Sequence, residues 1–136
     1  MPTAIKLEKG ATLEKSFSVL ENKTANYFSE SPEEQYAEVL GTPFLIADME
    51  RVCADLMKPL LKSGEVSVGA HIDIRHTAPT GVGAKYQIKV IFEESRWGLY
   101  TFSVEASDSV GVIGKGKIAR AIGKNTEILK RASQSS

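Results

Sequence analysis

Apolar residues recur every second position along several stretches of the chain and every third or fourth along one, which predicts several strands and one long helix. From Pro43 to about Lys62, Leu45, Met49, Val52, Cys53, Leu56 and Leu60 keep the helical period, with Thr42 as cap and Pro43 suited to the first turn. Asp48, Arg51, Asp55, Lys58 and Lys62 fall on the other side at spacings of three and four, as an ion-paired, solvated face would. Ser63 and Gly64 stop the helix. Val66, Val68, Ala70, Ile72 and Ile74 then alternate with Ser67, Gly69, His71, Asp73 and Arg75, predicting a strand whose even-numbered residues point inward. Residues 12–21 alternate more loosely through Leu13, Phe17 and Val19 and predict a first strand. Turn-like segments at 78–83, 94–98 and 108–111 separate strands over 84–93, 99–106 and a last one ending near Ile122, so three consecutive hairpins are expected. The polar, acidic stretch 29–42 holds Pro32, Tyr36 and Gly41 and reads as a mobile loop or short helix. One strand, one helix and a meander of four strands give an α+β fold: a curved antiparallel sheet wrapped around a central helix. Residues 1–128 are expected to form this single domain and 129–136 a disordered tail.

Composition narrows the function classes. A chain of 136 residues, 42% apolar, can bury one core. Seventeen basic and seventeen acidic residues cancel, so no protein-wide field exists to hold nucleic acid or an anionic membrane, and any anionic ligand must be held locally. Cys53 is the sole cysteine, which excludes an internal disulfide and a multi-cysteine metal site and fits a reducing compartment. The first ten residues carry charges where a signal peptide needs an apolar run, and no stretch is apolar for long enough to span a bilayer, so the cytoplasm is the expected location.

Three side chains break the apolar pattern. Glu50 has Ile46, Ala47, Cys53 and Ala54 one turn away and no basic partner among them. It is either a boundary glutamate reaching outward or a carboxylate on an inner face that needs a cation from another element. His76 closes the inward row of its strand where the row meets a turn, and reads as a satisfied core histidine or as a group titrating near neutrality. Arg120 shares a face with Ile118 and Ile122. It either reaches past the sheet edge or needs an acid inside, for which Glu50 is the natural candidate. An acid, an imidazole and a guanidinium on inner faces form a set suited to attack on a carbonyl.

Other motifs are weaker. Residues 111–117, GVIGKGK, have the glycine and lysine spacing of a phosphate-binding loop, but Ile118 stands where that loop needs Ser or Thr, and strand alternation continues through it. Lys115 and Lys117 are then a solvated strand face or contacts for phosphate groups. His71 and Asp73 lie on the face opposite His76, so no metal site is expected. No Gly-x-Ser-x-Gly elbow occurs.

Together these residues resemble the hotdog-fold thioesterases, within the group typified by the fluoroacetyl-CoA thioesterase. The likeness runs from the first strand to Arg120. Its carriers are VLGTPFLIADMERVCADLMKPLL with its threonine and glutamate, VGAHIDIRHTAPTGVG with its glycine and histidine, and KGKIAR. The resemblance implies hydrolysis of a short acyl-CoA, with Glu50 as nucleophile or general base, His76 and Thr42 orienting groups and protonating the leaving thiolate, and the Gly69 N–H near the thioester carbonyl. Arg120 would hold Glu50 or contact the acyl group. Tyr36 and Glu33 stand where the fluoroacetyl-specific enzyme carries two lid phenylalanines, which implies a broader or different acyl preference. No cofactor is implied beyond the substrate's coenzyme A. About 12 Å of helix separates Thr42 from Glu50, so either the helix start bends or two subunits share a site. The family pairs through its sheets, implying a homodimer, with a tetramer left open. A non-catalytic acyl-CoA-binding protein and an enoyl-thioester hydratase are the alternatives.

Overall fold

The computed structural model describes residues 6–135. Strand β1 (Thr12–Ser18) leads through two short 3-10 turns and the loop around Tyr36 to helix α1 (Thr42–Met57). Strands β2 (Glu65–His76), β3 (Lys85–Arg96), β4 (Leu99–Ser107) and β5 (Val112–Lys124) follow, and helix α2 (Asn125–Ala132) ends the chain. The five strands form one antiparallel sheet in the order β1-β3-β4-β5-β2, and α1 lies across one face. This is the expected α+β arrangement of a long helix against a curved sheet.

The core lies between the two layers. Leu45, Met49, Val52, Cys53 and Met57 of α1 are fully buried against Tyr86, Ile88 and Val90 of β3, Phe102 of β4 and Ile118 of β5. Each large apolar side chain removed from water contributes about 1.5–3 kcal/mol, so this layer contact dominates the stability. The helix is shorter than its periodicity predicts: it ends at Met57 and passes into a 3-10 turn, Lys58–Leu60, because Pro59 has no N–H to donate to the next turn. Asp48, expected on the solvated side, is 2% exposed, with the Tyr86 hydroxyl donating to its Oδ2 at 2.5 Å and Lys23 Nζ at 2.9 Å. Lys15, on the inner row of β1, pairs with Asp55.

The order of pairing corrects one expectation. Strands β2 and β3 are not a hairpin: β2 pairs with β5, at the far edge of the sheet from β1. The connection after His76 is too long for a tight turn and crosses the start of α1 instead. There Leu40 N–H donates to the Thr80 carbonyl at 2.8 Å and the Thr80 hydroxyl donates to Asp108 at 2.9 Å. The β3–β4 hairpin is tight, with Trp97 and Gly98 both at positive φ (52° and 78°), as a two-residue turn requires.

A bulge at Ala70 changes the inner face of β2. Gly69 pairs with Arg120 and His71 with Ala119, so Ala70 is the extra residue and the side-chain parity reverses there. Ser67 and Gly69, not Val66, Val68 and Ala70, therefore face the helix on the first half, while Val68 is exposed. Past the bulge the even-numbered row is inward as expected, with Ile74 on the core and His76 reaching α1. Gly114 and Gly116, within residues 111–117, have a packing reason. A Cβ on Gly114 would meet the Arg75 carbonyl at 3.0 Å and Leu45 at 3.1 Å, so the motif lets β2 and the helix approach β5 and is not a phosphate loop.

The C-terminal tail is helical where disorder was expected: α2 extends to Ala132, and Ser136 lies outside the described residues. Asn125 N–H donates to the Gly64 carbonyl at 2.9 Å, and Ile128 rests over Gly123, where a side chain would press on it. Lys130 and Arg131 in the last turn complement the helix dipole.

Candidate active site

Two pairs of side chains stand along the line where α1 meets β2. At the start of the helix, Thr42 is the first helical residue rather than its cap: Gly41 occupies that position, and no side chain caps it. The Thr42 hydroxyl is instead 2.7 Å from His76 Nδ1. The other ring nitrogen, Nε2, is buried with no hydrogen-bond partner among the described residues. Burial pushes the imidazole below its usual titration range, an effect that the Ala78 backbone opposes, so the neutral ring is favoured. Thr42 and His76 line a hollow of about 300 Å³ together with Leu40, Val39, Ala78 and Pro79.

Two turns further along α1, Arg120 Nη1 donates to Glu50 Oε1 at 3.1 Å. The guanidinium is 10% exposed and the carboxylate 32%, so the pair is largely shielded from water. Gly69 lies beneath it: a Cβ there would overlap Glu50 Oε1 and come within 3.8 Å of Arg120 Nη1. The cation required for Glu50 is thus the one the sequence suggested, and Gly69 is required by the same carboxylate. Ser67 was missed. Its position in the alternation pointed outward, and only the bulge turns it toward Arg120.

The described residues thus join Thr42 to His76, and Glu50 to Arg120 and Gly69, while about 12 Å of helix axis separates the two groups. Tyr36 is at neither. It packs on Phe28 with ring centroids 5.0 Å apart, and Phe28 lies 6.4 Å from Phe44, so the loop before α1 joins the first turn of the helix through an aromatic cluster. Cys53, one turn from Glu50, has its thiol pushed up to about 12, chiefly by burial, so the protonated form is favoured. No group of three or more His, Cys, Asp or Glu side chains gathers at metal distance among the described residues, and no helix among them is long and apolar enough to cross a membrane.

Known proteins with this arrangement decide the family. A sequence model of the fluoroacetyl-CoA-specific thioesterases, FlK, matches residues 19–126. The chain belongs to that family. The fluoroacetyl-CoA thioesterase of Streptantibioticus cattleyicolor is 34% identical over 108 residues, 78% of each chain. A solved structure of the fluoroacetyl-CoA thioesterase FlK superposes with a TM-score of 0.92 at 29% identity, covering 97% of this chain and 99% of the other. A thioesterase-superfamily protein from Thermus thermophilus, 20% identical, shares the fold with a TM-score of 0.82, covering 96% of this chain and 98% of its own. Membership of the FlK family makes this chain a hotdog-fold thioester hydrolase.

Proposed function

We propose that the chain hydrolyses a short-chain acyl-CoA to the free acid and coenzyme A. Glu50 attacks the thioester carbonyl, or takes a proton from the water that does. The Gly69 N–H faces the developing oxyanion, and the Thr42 and His76 pair serves the leaving sulfur. The observation that carries this reading is the buried His76 Nε2 without a partner. When the Thr42 hydroxyl donates to Nδ1, the ring proton sits on Nε2, a donor waiting for an acceptor in a shielded site. The balance is simple: the C–S bond breaks, water supplies the new C–O bond, and its proton ends on the thiolate. No group beyond the substrate's own coenzyme A takes part.

The separation of the two residue pairs supports a site shared between two copies. Strand β2 lies at the sheet edge, with Val68 37% and Ile72 40% exposed, and an edge of this kind is completed by a second β2. We therefore take the protein to be a cytoplasmic homodimer in which Glu50 of one copy meets His76 of the other. The exposed Glu33 makes the loop that carries Tyr36 more polar than an all-aromatic lid, which favours a broader acyl range than fluoroacetyl alone.

The test is thiol release from acetyl-, fluoroacetyl- and longer acyl-CoA by the wild type, Glu50→Gln and His76→Ala. Both variants should lose turnover while Glu50→Gln still binds acyl-CoA, and full turnover by Glu50→Gln would end the reading. A preference for fluoroacetyl-CoA by orders of magnitude in kcat/KM would refute the broader lid. Mixing the two inactive variants should restore activity if the site is shared, since each mixed dimer then holds one intact site; none should return if it is not.

A further inference from the structure

Arg120 is held by more than its acid. Its Nε donates to the Ser67 hydroxyl at 3.2 Å, and its Nη2 donates to the same hydroxyl at 3.2 Å and to the Ser67 carbonyl at 2.9 Å. A guanidinium ordinarily grips a carboxylate with two parallel N–H bonds, either through Nε and Nη2 or through Nη1 and Nη2. Ser67 occupies Nε and Nη2, so both gripping modes are denied and Nη1 alone reaches Glu50. The contact falls on Oε1, the oxygen that Gly69 also crowds. Among the described residues nothing hydrogen-bonds to Oε2.

We propose that Ser67 is a positioning residue for the hydrolysis: by restraining Arg120 to a one-oxygen contact, it leaves Glu50 Oε2 free for the reacting carbonyl or water. This rests on the assignment of Glu50 as the reacting carboxylate. Without the hydroxyl, Nε is released and the fork can turn to grip both oxygens, occupying the atom that must react. The loss then appears in the chemical step and not in substrate binding.

The variants Ser67→Val and Ser67→Thr have nearly the same shape and differ by the hydroxyl. Ser67→Val and Ser67→Ala should lower kcat between about 10- and 100-fold with KM within about threefold of the wild type, while Ser67→Thr keeps kcat within about threefold. In an Arg120→Gln background, Ser67→Val should cost nothing further, because its effect runs through the guanidinium. Should Ser67→Val not fold, as read by circular dichroism, Ser67→Ala carries the comparison, since it removes one atom. Wild-type kcat in Ser67→Ala, or a Ser67→Thr loss as large as that of Ser67→Val or Ser67→Ala, overturns the proposal. Glu50→Gln assayed alongside separates the two failures: if it turns over normally, the Glu50 assignment falls; if it is dead while Ser67→Ala is normal, only the role of Ser67 falls.

Discussion

Replacing Gly69 with alanine tests the point where the Glu50 side chain of the helix rests on the sheet. The added Cβ would lie well under 3.0 Å from Glu50 Oε1, a separation that real side chains do not adopt. Restoring ordinary contact requires the carboxylate to retreat by about 1 Å, and the Arg120 Nη1 bond at 3.1 Å must stretch or turn with it. A displacement of that size at a reacting group costs about 100-fold, or about 2.7 kcal/mol of transition-state stabilisation. Stability should change little, because alanine is favoured over glycine within a strand by about 0.5–1 kcal/mol, which offsets part of the local strain. The assay is steady-state thiol release from acetyl-CoA, with thermal unfolding followed in parallel. The expected result is a fall in kcat with a melting temperature near that of the wild type. Wild-type kcat/KM in Gly69→Ala, or a loss confined to KM, would refute the view that Gly69 exists to admit the Glu50 carboxylate.

Other outcomes follow from the same contacts. Asp48→Ala leaves the Lys23 ammonium and the Tyr86 hydroxyl without their buried acceptor, and should destabilise the fold by about 3–5 kcal/mol in urea unfolding; a loss under 1 kcal/mol would show the network to be dispensable. Trp97→Gly should raise the urea midpoint slightly, by about 0.5 kcal/mol of stability, because Trp97 is 92% exposed, sits at φ 52° and forfeits only its stacking with Arg96. His76 titrates lower in the folded chain than in the unfolded one, so below about pH 6.5 the unfolded state binds the extra proton. Its contribution is therefore complete above that pH and is lost as pH falls toward the folded value. Denaturant unfolding between pH 7 and 5 should show a slope in the wild type that His76→Gln flattens; equal slopes would contradict the burial of the ring.

Alternation and helical spacing made the layers legible, because an antiparallel sheet with one solvated face must alternate and a helix on its other face must keep a stripe. The pairing of Glu50 with Arg120 was legible for a different reason: an uncompensated charge on an apolar face states what its partner must be. The inner face of β2 was readable only in its second half. An extra residue at Ala70 leaves Val66, Val68, Ala70 and Ile72 looking like one unbroken row, and the only hint is two small residues, Gly69 and Ala70, side by side. Ser67 was lost with that parity. Asp48 was misplaced because its partners, Lys23 and Tyr86, come from 25 and 38 residues away and nothing in helical spacing announces them. Helix α2 escaped notice because its docking depends on the missing side chain of Gly123 and not on an apolar stripe of its own. The edge position of β2 escaped for a topological reason, since a loop crossing the helix start reads in sequence like any other turn.

The burial of Cys53 has a practical side. With the chain's sole sulfhydryl sealed between helix and sheet and held protonated across the working pH range, a disulfide dye added to the native enzyme meets no reactive protein sulfur. Colour developed in such a mixture counts liberated coenzyme A alone, turnover by turnover. Any slow background from the enzyme itself becomes a direct clock for the opening of its interior.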